Sequence, residues 1–325
     1  MGSEALFWGT HMRRSHNSII LSLLSLLVIA QWCGPASASE YGQGSYRPGF
    51  MDLLAGALPP PGTTGVKTYF MYQDENTDAS NRYIALRANT SVYTEDVLGL
   101  HVTNLKIFGA NYAFGGLLQS HLMNQSVGVG LNLKGFPMPH KSMTFGGLGD
   151  TVFLPAMLNW NLRNFHFLSL FAVYTPTGAY DKNRIANTGL NRWAFEPDFG
   201  FTWLDPDTGR EASMFTGYTV NSRNTATDYR SGDEFHTDFV LAQHLPHDIT
   251  TGVSGYAVQQ TTPDTGTGAV FGGYRGRVLG LGPLADKAFE VDGHRIEFNF
   301  KYDYEFASQH RATGNELWFN TTVPF

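Results

Sequence analysis

The residues best suited to nucleophilic chemistry lie in one short segment of the chain. Ser231, Asp233 and His236 bring a hydroxyl, a carboxylate and an imidazole together within six residues. A catalytic triad is recognised by the geometry of its members, however, and not by their proximity in sequence. The same segment contains Gly232 beside Asp233, and these residue types are common turn formers. We therefore predict no catalytic residues, and a protein that is not an enzyme.

Histidine pairs are the next candidates, as metal ligands. His236 and His244 share one face of a predicted strand but are eight residues apart, which is roughly 25 Å in an extended chain. They cannot chelate one ion. His244 and His247 could pair across a turn, but Pro246 between them favours a simple turn. Since no glycine-rich run follows a strand and opens a helix, the sequence predicts neither a metal site nor a cofactor.

Charged side chains that alternate with apolar ones form a third candidate set. If the strands that carry them enclose a lumen and turn their polar faces inward, the lumen contains Glu196, Asp198, Asp238, Arg275, Arg277, Glu297, Lys301, Asp303 and Glu305. Unpaired charges are not stable in a dry interior, so this set requires either water or mutual pairing. Two interpretations stay open. Either the arginines pair with the carboxylates and stiffen the wall, or the same groups line a path that selects solutes.

The elements that would hold these residues are long alternating strands, most clearly at the carboxyl end. From Arg295 to Phe306, apolar and polar residues alternate without interruption, which is the period-two pattern of a β-strand. Its length is close to the ~9 to 11 residues with which a tilted strand crosses a bilayer. After a short link, a second alternating strand continues to Phe325.

This ending resembles the C-terminal signature of bacterial outer-membrane β-barrels. The resemblance rests on the terminal aromatic residue and on the alternating apolar positions before it, namely Phe325, Val323 and Phe319. It implies that the last strand marks the chain for insertion by the barrel-assembly machinery. It also implies that the folded wall contacts outer-membrane lipid.

The amino end has the features of a secretory signal. Met12 to Arg14 carry positive charge, Ile19 to Ala30 form an apolar run, and Ala36 to Ala38 provide a small-residue cleavage site. We interpret residues 1–38 as a signal peptide region, in which residues 1–11 are a possible upstream extension. Ser39 then begins the mature chain, and the predicted location is the outer membrane of a Gram-negative bacterium.

Composition agrees with this location and excludes one class of partner. Aromatic residues make up 14% and charged residues 15% of the chain, and the net charge is −6. A basic face, which nucleic-acid binding requires, is not indicated. Many aromatic residues with few charges suit a barrel that turns aromatic side chains toward lipid and polar ones inward. The only cysteine, Cys33, falls inside the predicted signal.

A leader separates the predicted signal from the strands. Residues 39–64 are rich in glycine and proline, including Pro59 to Gly62, and cannot form regular helix or strand. Their apolar part, Phe50 to Leu58, could lie inside a barrel mouth as a plug, or the leader could be mobile in the periplasm. Residues 65–325 are predicted to form the barrel.

The remaining pattern predicts an all-β fold, a transmembrane antiparallel β-barrel of 12 or 14 strands. Fourteen strand-like segments recur, but His101 to Phe108 and Ala110 to Leu118 could be one strand, and Thr94 to Leu100 could be a helical turn. Pro155 and Pro197 lie inside predicted strands, where each removes a ladder donor. They predict a bulge or a local break.

Connections of two lengths alternate along the predicted strands. The short ones are Asn161 to Asn164, Asp205 to Arg210 and Leu245 to Asp248, and the long ones are Gly135 to Gly149, Pro176 to Asn191, Ser222 to Asp233 and Thr261 to Gly273. Short periplasmic turns that alternate with long outer loops are typical of outer-membrane barrels.

Several longer motifs resemble one family. They are GLGD at Gly147 to Asp150, PTGAYDKNR at Pro176 to Arg184, NRWAFEPDFGFTWLDPDTGRE at Asn191 to Glu211, TDYRSGDEFHTDF at Thr227 to Phe239 and GYRGRVLGLGP at Gly273 to Pro283. The chain is similar in these motifs to the outer-membrane, transporter-like proteins of the meta-pathway of phenol degradation family. The resemblance implies an outer-membrane channel for passive uptake of small hydrophobic or aromatic compounds. It supplies no catalytic residues.

Two alternatives from other classes stay open at the level of sequence. A structural or adhesive outer-membrane barrel would have a closed lumen, and a lipid-modifying enzyme would need a nucleophile and a base at the membrane boundary. The sequence leaves undecided the substrate, the width of the lumen, the oligomeric state and the role of the leader.

Overall fold

The structure is a computed structural model, which describes residues 40–80, 84–131, 138–184, 186–269 and 272–324. The predicted signal peptide region, residues 1–38, and the terminal Phe325 lie outside the described residues. Within these ranges, no helix has the length and the apolar character needed to cross a membrane.

Strands account for most of the described chain. A 3₁₀ turn, Glu40–Gly42, precedes them. The strands are β1 Thr64–Ser80, β2 Ile84–Ile107, β3 Ala110–Leu131, β4 His140–Leu148, β5 Val152–Leu162, β6 Phe165–Tyr174, β7 Ala194–Asp205, β8 Arg210–Asn221, β9 Glu234–Leu245, β10 Ile249–Gln260, β11 Arg277–Val291, β12 His294–Gln309 and β13 Thr313–Pro324.

Twelve of these strands form a closed antiparallel barrel. Sequential neighbours pair, β3 pairs with β5, and β1 pairs with β13 to close the sheet. Closure leaves no open edge among these twelve strands, as a membrane requires, because an unpaired backbone group is costly there. The predicted transmembrane barrel is therefore confirmed, with the lower of the two predicted strand numbers.

The thirteenth strand, β4, was not predicted. It pairs with the C-terminal part of β3, beginning where Ser120 lies opposite Leu148. The N-terminal part of β3, up to Leu117 opposite Val152, pairs with β5 instead. The predicted loop Gly135 to Gly149 is therefore wrong over most of its length. Conversely, β2 and β3 each join two predicted strands, and the predicted helical turn Thr94 to Leu100 is regular strand. In this stretch β2 pairs residue by residue with β1, and Glu95 lies opposite Phe70 of the outer face.

The two faces of the wall differ sharply in polarity. On β12, Phe298, Phe300 and Phe306 are among the exposed aromatic residues, whereas Lys301 and Asp303 on the other parity are fully buried. The outer face thus presents a belt of apolar side chains suited to lipid, and the polar residues point into the barrel. Phe319 also lies on this outer face, 5.9 Å from the Phe298 ring, and its role in insertion stays a prediction.

The two strand prolines interrupt the ladder as predicted. At Pro155, the β5–β6 register shifts between Phe153 and Ala156. At Pro197, the β7–β8 pairing stops after Phe195 and resumes at Asp198. The first is an irregularity of register and the second a local break, because proline has no N–H to donate to a neighbouring strand.

All three predicted short connections and three of the four predicted long ones are confirmed, whereas Gly135 to Gly149 contains β4. Short turns join β5 to β6, β7 to β8 and β9 to β10, at the end of the barrel where β1 begins and β13 ends. The long β6–β7, β8–β9 and β10–β11 connections cover the opposite end. Below, these are called the short-turn end and the long-loop end.

Candidate functional site

The leader, residues 40–63, runs through the barrel from one end to the other. At the long-loop end, the Glu40 N–H donates to Ser231 Oγ at 3.1 Å, and the Glu40 carboxylate accepts a hydrogen bond from the Thr227 hydroxyl at 2.6 Å. Toward the short-turn end, the Gly56 N–H donates to Thr202 Oγ1 on β7 at 2.9 Å. The leader therefore lies inside the barrel, as in the plug alternative, and not outside it in the periplasm.

One buried carboxylate on β9 fixes the middle of the leader. Asp238 accepts hydrogen bonds from the Tyr46 hydroxyl at 2.6 Å, from the Gly49 N–H at 3.3 Å and from the Met51 N–H at 3.0 Å. A carboxylate has enough lone pairs to accept all three. Asp238 therefore organises the bend of the leader between Tyr46 and Met51.

Ion pairs fasten the leader to the opposite wall. Arg47 pairs with Asp96 on β2, and Lys67 on β1 pairs with leader residue Asp52 at 2.8 Å. Lys301 on β12 donates to the Gly49 carbonyl. The carboxylates are almost completely buried, and such charges require partners in the lumen.

The apolar part of the leader packs on inward side chains of the wall. The Phe50 ring stacks on Tyr69 at 4.2 Å between centroids and meets Trp318 edge-on at 6.5 Å. Met51 and Leu58 pack against a buried cluster that includes Val102, Ala113, Met157, Leu168 and Phe215. Hydrophobic contacts thus add to the polar anchors and fill the central lumen.

Six of the nine predicted lumen residues are buried inside the barrel, namely Glu196, Asp198, Asp238, Lys301, Asp303 and Glu305. Glu297 lies half-buried on the same face of β12. Their use as a solute path stays a prediction.

The predicted lumen position of two arginines is wrong. Arg275 lies in the connection before β11, and Arg277 is the first residue of that strand. Arg277 has the parity of Leu279 and Leu281, which is the outward face, and both arginine side chains are exposed. Other cations pair with inward carboxylates, since Arg47 pairs with Asp96 and Lys67 with Asp52, neither of which was in the predicted set. The alternating pattern could not identify Arg47 because it lies outside any strand.

A network of acids and hydroxyls joins β10, β12 and β13. The Tyr256 hydroxyl donates to Glu305 at 3.0 Å, and the Gly314 N–H donates to the same carboxylate at 2.7 Å. Arg311 pairs with Glu234 on β9 at 3.3 Å. These contacts close the wall near the long-loop end, in line with the stiffening interpretation of the lumen charges.

A second cluster lies between β7 and β9. His236 Nε2 is 3.5 Å from Glu196 Oε1 and 3.5 Å from Asp198 Oδ1, and all three side chains are buried. The Tyr46 ring of the leader stacks on the His236 ring at 3.5 Å between centroids. The Tyr174 hydroxyl donates to Glu196 at 2.8 Å.

The Ser231, Asp233 and His236 segment does not assemble as a triad. Ser231 accepts its hydrogen bond from the Glu40 N–H, and Asp233 pairs with Arg230 at 2.9 Å. His236 faces Glu196 and another carboxylate instead. The geometry therefore gives this serine no base among these three residues.

Buried and exposed carboxylates hold the long loops. Asp150, before β5, accepts hydrogen bonds from the Gly178 and Leu190 N–H groups, both at 2.8 Å. Burial raises the pKa of this carboxyl, against the lowering effect of the two N–H donors. Asp228, which is exposed, has a lowered pKa because the Thr267 N–H and hydroxyl donate to it, at 2.9 and 2.7 Å. It joins the β8–β9 and β10–β11 connections.

A cavity of about 120 Å³ remains between the leader and the wall. Leader residues 42–48 form one side, and β1, β2, β3 and the β6–β7 connection form the other. Its apolar lining includes Tyr46, Met71, Val92, Met123 and Tyr174. Arg47 and His121 are among the polar groups beside it.

Comparison with known proteins gives one family and a shared fold. The profile of a family described as the putative MetA-pathway of phenol degradation matches residues 73–321. None of the curated proteins compared with the chain matches it in sequence. A similar solved structure is the COG4313 outer membrane channel from Pseudomonas putida F1, at 15% identity, with 85% of this chain and all of that chain covered and a TM-score of 0.60.

Two further barrels are more distant. The β-domain of the Bordetella autotransporter BrkA has 12% identity, covers 82% of this chain and 100% of its own, and has a TM-score of 0.41. OccD3 (OpdP) from Pseudomonas aeruginosa has 11% identity, covers 90% of this chain and 99% of its own, and has a TM-score of 0.33. Of these three structures, the Pseudomonas putida channel is the one similar enough to support the barrel fold.

Proposed function

This chain belongs to the family described as the putative MetA-pathway of phenol degradation, its barrel is that of an outer-membrane channel, and we propose that it admits small hydrophobic or aromatic compounds by passive diffusion. Phenol degradation concerns an aromatic compound, so the family description agrees in chemistry with this proposal. The observation that carries it is the cavity beside the leader.

The size and the lining of the cavity suit a single aromatic ring. Its volume is about 120 Å³, and an apolar cavity of ~150 Å³ in another protein is known to bind benzene. Tyr46, Met71 and Met123 offer aromatic and thioether surfaces, which interact favourably with rings. Polar groups at the margin could orient a phenolic hydroxyl. A single aromatic ring therefore fits against the apolar part of the lining, and the polar part can bind a hydroxyl group.

The path we propose begins at the long loops and requires a shift of the leader. The connections Pro176 to Asn191 and Ser222 to Asp233 surround the long-loop end, and the cavity lies directly below the first of them. Farther down, Phe50 and Met51 fill the lumen. Passive passage therefore includes a transient release of leader contacts, in which the inward charges Asp238, Lys301 and their neighbours exchange leader partners for water.

The filled lumen also favours a second candidate function. A barrel whose leader never leaves would be a structural or adhesive protein with a closed lumen, because the described contacts span it from Glu40 to Gly56. Flux measurements separate the two candidates.

The test is solute uptake by liposomes that contain the refolded protein. A panel of phenol and alkyl-aromatic compounds is compared with a hydrophilic sugar of similar size. We expect preferential flux of the aromatic compounds. Equal flux of both classes would indicate a general pore, and no flux of either through a folded barrel would contradict transport and leave the structural candidate.

A pair of matched variants links flux to the cavity. Val92 on β2 is 8% exposed and lines the cavity, whereas Val97 on the same strand faces outward. Val92→Trp should fill the cavity and reduce aromatic flux severalfold, and Val97→Trp should leave it unchanged. Equal flux in both variants would show that the solute does not pass through this cavity.

A further inference from the structure

We propose that Glu196, Asp198 and His236 form a binding site for a divalent transition metal ion such as Zn²⁺. One imidazole nitrogen and two carboxylate oxygens are ligands that Zn²⁺ accepts. The three candidate ligand atoms all lie within 4.8 Å of one another. This inference is independent of the transport proposal, since it concerns the wall and not the solute.

The site exists because a glycine separates its residues. Asp198 pairs with Gly217 across β7 and β8, and Gly217 pairs with His236 across β8 and β9. The row therefore has no side chain in its middle, and the two flanking side chains lean toward each other over the bare backbone. A Cβ at position 217 would lie 1.9 Å from Asp198 Oδ1 and 2.4 Å from His236 Nε2.

The distances fit a shared cation better than direct hydrogen bonds. His236 Nε2 lies 3.5 Å from Glu196 Oε1 and 3.5 Å from Asp198 Oδ1. A charge-assisted N–H···O bond is ~2.7 to 2.9 Å long. Ligands ~2.0 to 2.2 Å from a tetrahedral zinc ion are separated from each other by about 3.4 Å. The observed spacing is that of two edges of such a tetrahedron.

Several buried polar atoms in the cluster make no hydrogen bond. Among the described residues, both ring nitrogens of His236 and Oδ1 of Asp198 make no hydrogen bond. His236 is 0% exposed and Asp198 is 6% exposed. Buried polar groups are nearly always satisfied, so unpaired atoms that face one another indicate a missing partner. A cation would satisfy His236 Nε2 and Asp198 Oδ1 together and would balance the charges of the two carboxylates.

Neighbouring groups hold the ligands in place from outside. The hydroxyls of Tyr174 and Thr219 both donate to Glu196, which fixes its carboxylate without using up all its lone pairs. The Tyr46 ring covers the His236 ring at 3.5 Å between centroids. Such surrounding contacts orient the residues that bind the metal in protein metal sites and raise the affinity for the metal.

Metal binding by the whole barrel tests the site. The mature chain is refolded in detergent with Zn²⁺, washed with a weak chelator, and assayed for bound zinc by mass spectrometry. Bound Co²⁺ gives a second signal, its visible absorption. We expect the amount of retained zinc to be proportional to the amount of protein. In His236→Gln, the affinity for zinc should fall at least ~100-fold. Gly217→Ala should lose the site as well, although it keeps all three ligands.

His244→Gln is the matched control. His244 also faces inward on β9, and its Nε2 lies 2.7 Å from Glu211 Oε2, a hydrogen-bonded pair with a single carboxylate. This variant should bind zinc as the unchanged chain does. A folded unchanged chain that retains no zinc would overturn the proposal, as would equal losses in His236→Gln and His244→Gln. If His236→Gln or Gly217→Ala fails to give the heat-modifiable band of a folded barrel, Asp198→Asn replaces it.

Discussion

Phe50→Ala should release the leader from the lumen. Phe50 is half-buried and contacts Tyr69 and Trp318. Truncation of a fully buried phenylalanine costs about 3 to 5 kcal/mol, and partial exposure reduces this to about 2 to 3 kcal/mol here. Because the barrel wall does not depend on the leader for its strand pairing, the loss should appear in leader docking. The released population should rise about 30- to 150-fold.

Cysteine labelling measures that population. The only native cysteine is Cys33, so a protein produced without residues 1–38 and with Ala55→Cys carries a single thiol. Ala55 is 4% exposed and packs in the same cluster as Phe50. An aqueous maleimide can therefore reach this position only from the released state, and the labelling rate follows its population.

The control variant is Phe70→Ala. Phe70 is an aromatic residue on β1 that faces outward, 6.4 Å from the Phe319 ring. It should leave the labelling rate unchanged. A rate in Phe50→Ala within about twofold of the unsubstituted rate would refute the hydrophobic docking of the leader, provided that both proteins run as folded barrels.

Two further predictions concern single carboxylates. Asp238→Asn should also raise Ala55→Cys labelling, about tenfold or more, because the bonds from Tyr46, Gly49 and Met51 lose their charged acceptor; an unchanged rate would contradict its role as an anchor. Asp228→Asn should speed limited proteolysis of the β8–β9 connection at pH 7. The pKa of Asp228 is lowered in the folded protein. The stability that this carboxylate gives to the loops is therefore present above the ordinary aspartate pKa and is lost only as the pH falls through the folded pKa. The unsubstituted loops should thus resist protease equally at pH 7 and pH 5.

The barrel could be predicted from sequence because its pattern is local. Alternation such as that from Arg295 to Phe306 assigns each side chain to a face from its own strand alone. The same local logic fails at strand ends. Arg277 was assigned inward on the basis of Arg275, but Leu279 and Leu281 fix the parity of β11, and Arg275 precedes the strand. Likewise β4 forms only because the distal part of β3 offers it an edge.

The leader and the histidine cluster depend on contacts that no local pattern contains. Tyr46 and Asp238 are 192 positions apart, and the leader has neither period two nor helical spacing. The comparison of His236 with His244 examined one strand, whereas the relevant carboxylates lie two strands away on β7. Gly217 was the available signal, since a glycine between two inward polar rows allows their side chains to meet, but it is informative only when the register is known.

The balance of leader contacts has a consequence for transport. Asp96 and Asp238 bind leader residues, and Asp52 is itself in the leader. Water that enters a vacated lumen would solvate these carboxylates, so each hydrogen bond contributes a net ~0.5 to 1.5 kcal/mol, more where charged. Apolar contacts such as that of Phe50 with Tyr69 have no such replacement in water. A hydrophobic solute, however, can take the place of Phe50 against Tyr69 and Trp318. Release of the leader should therefore be favoured by the compounds proposed to pass, and not by a sugar.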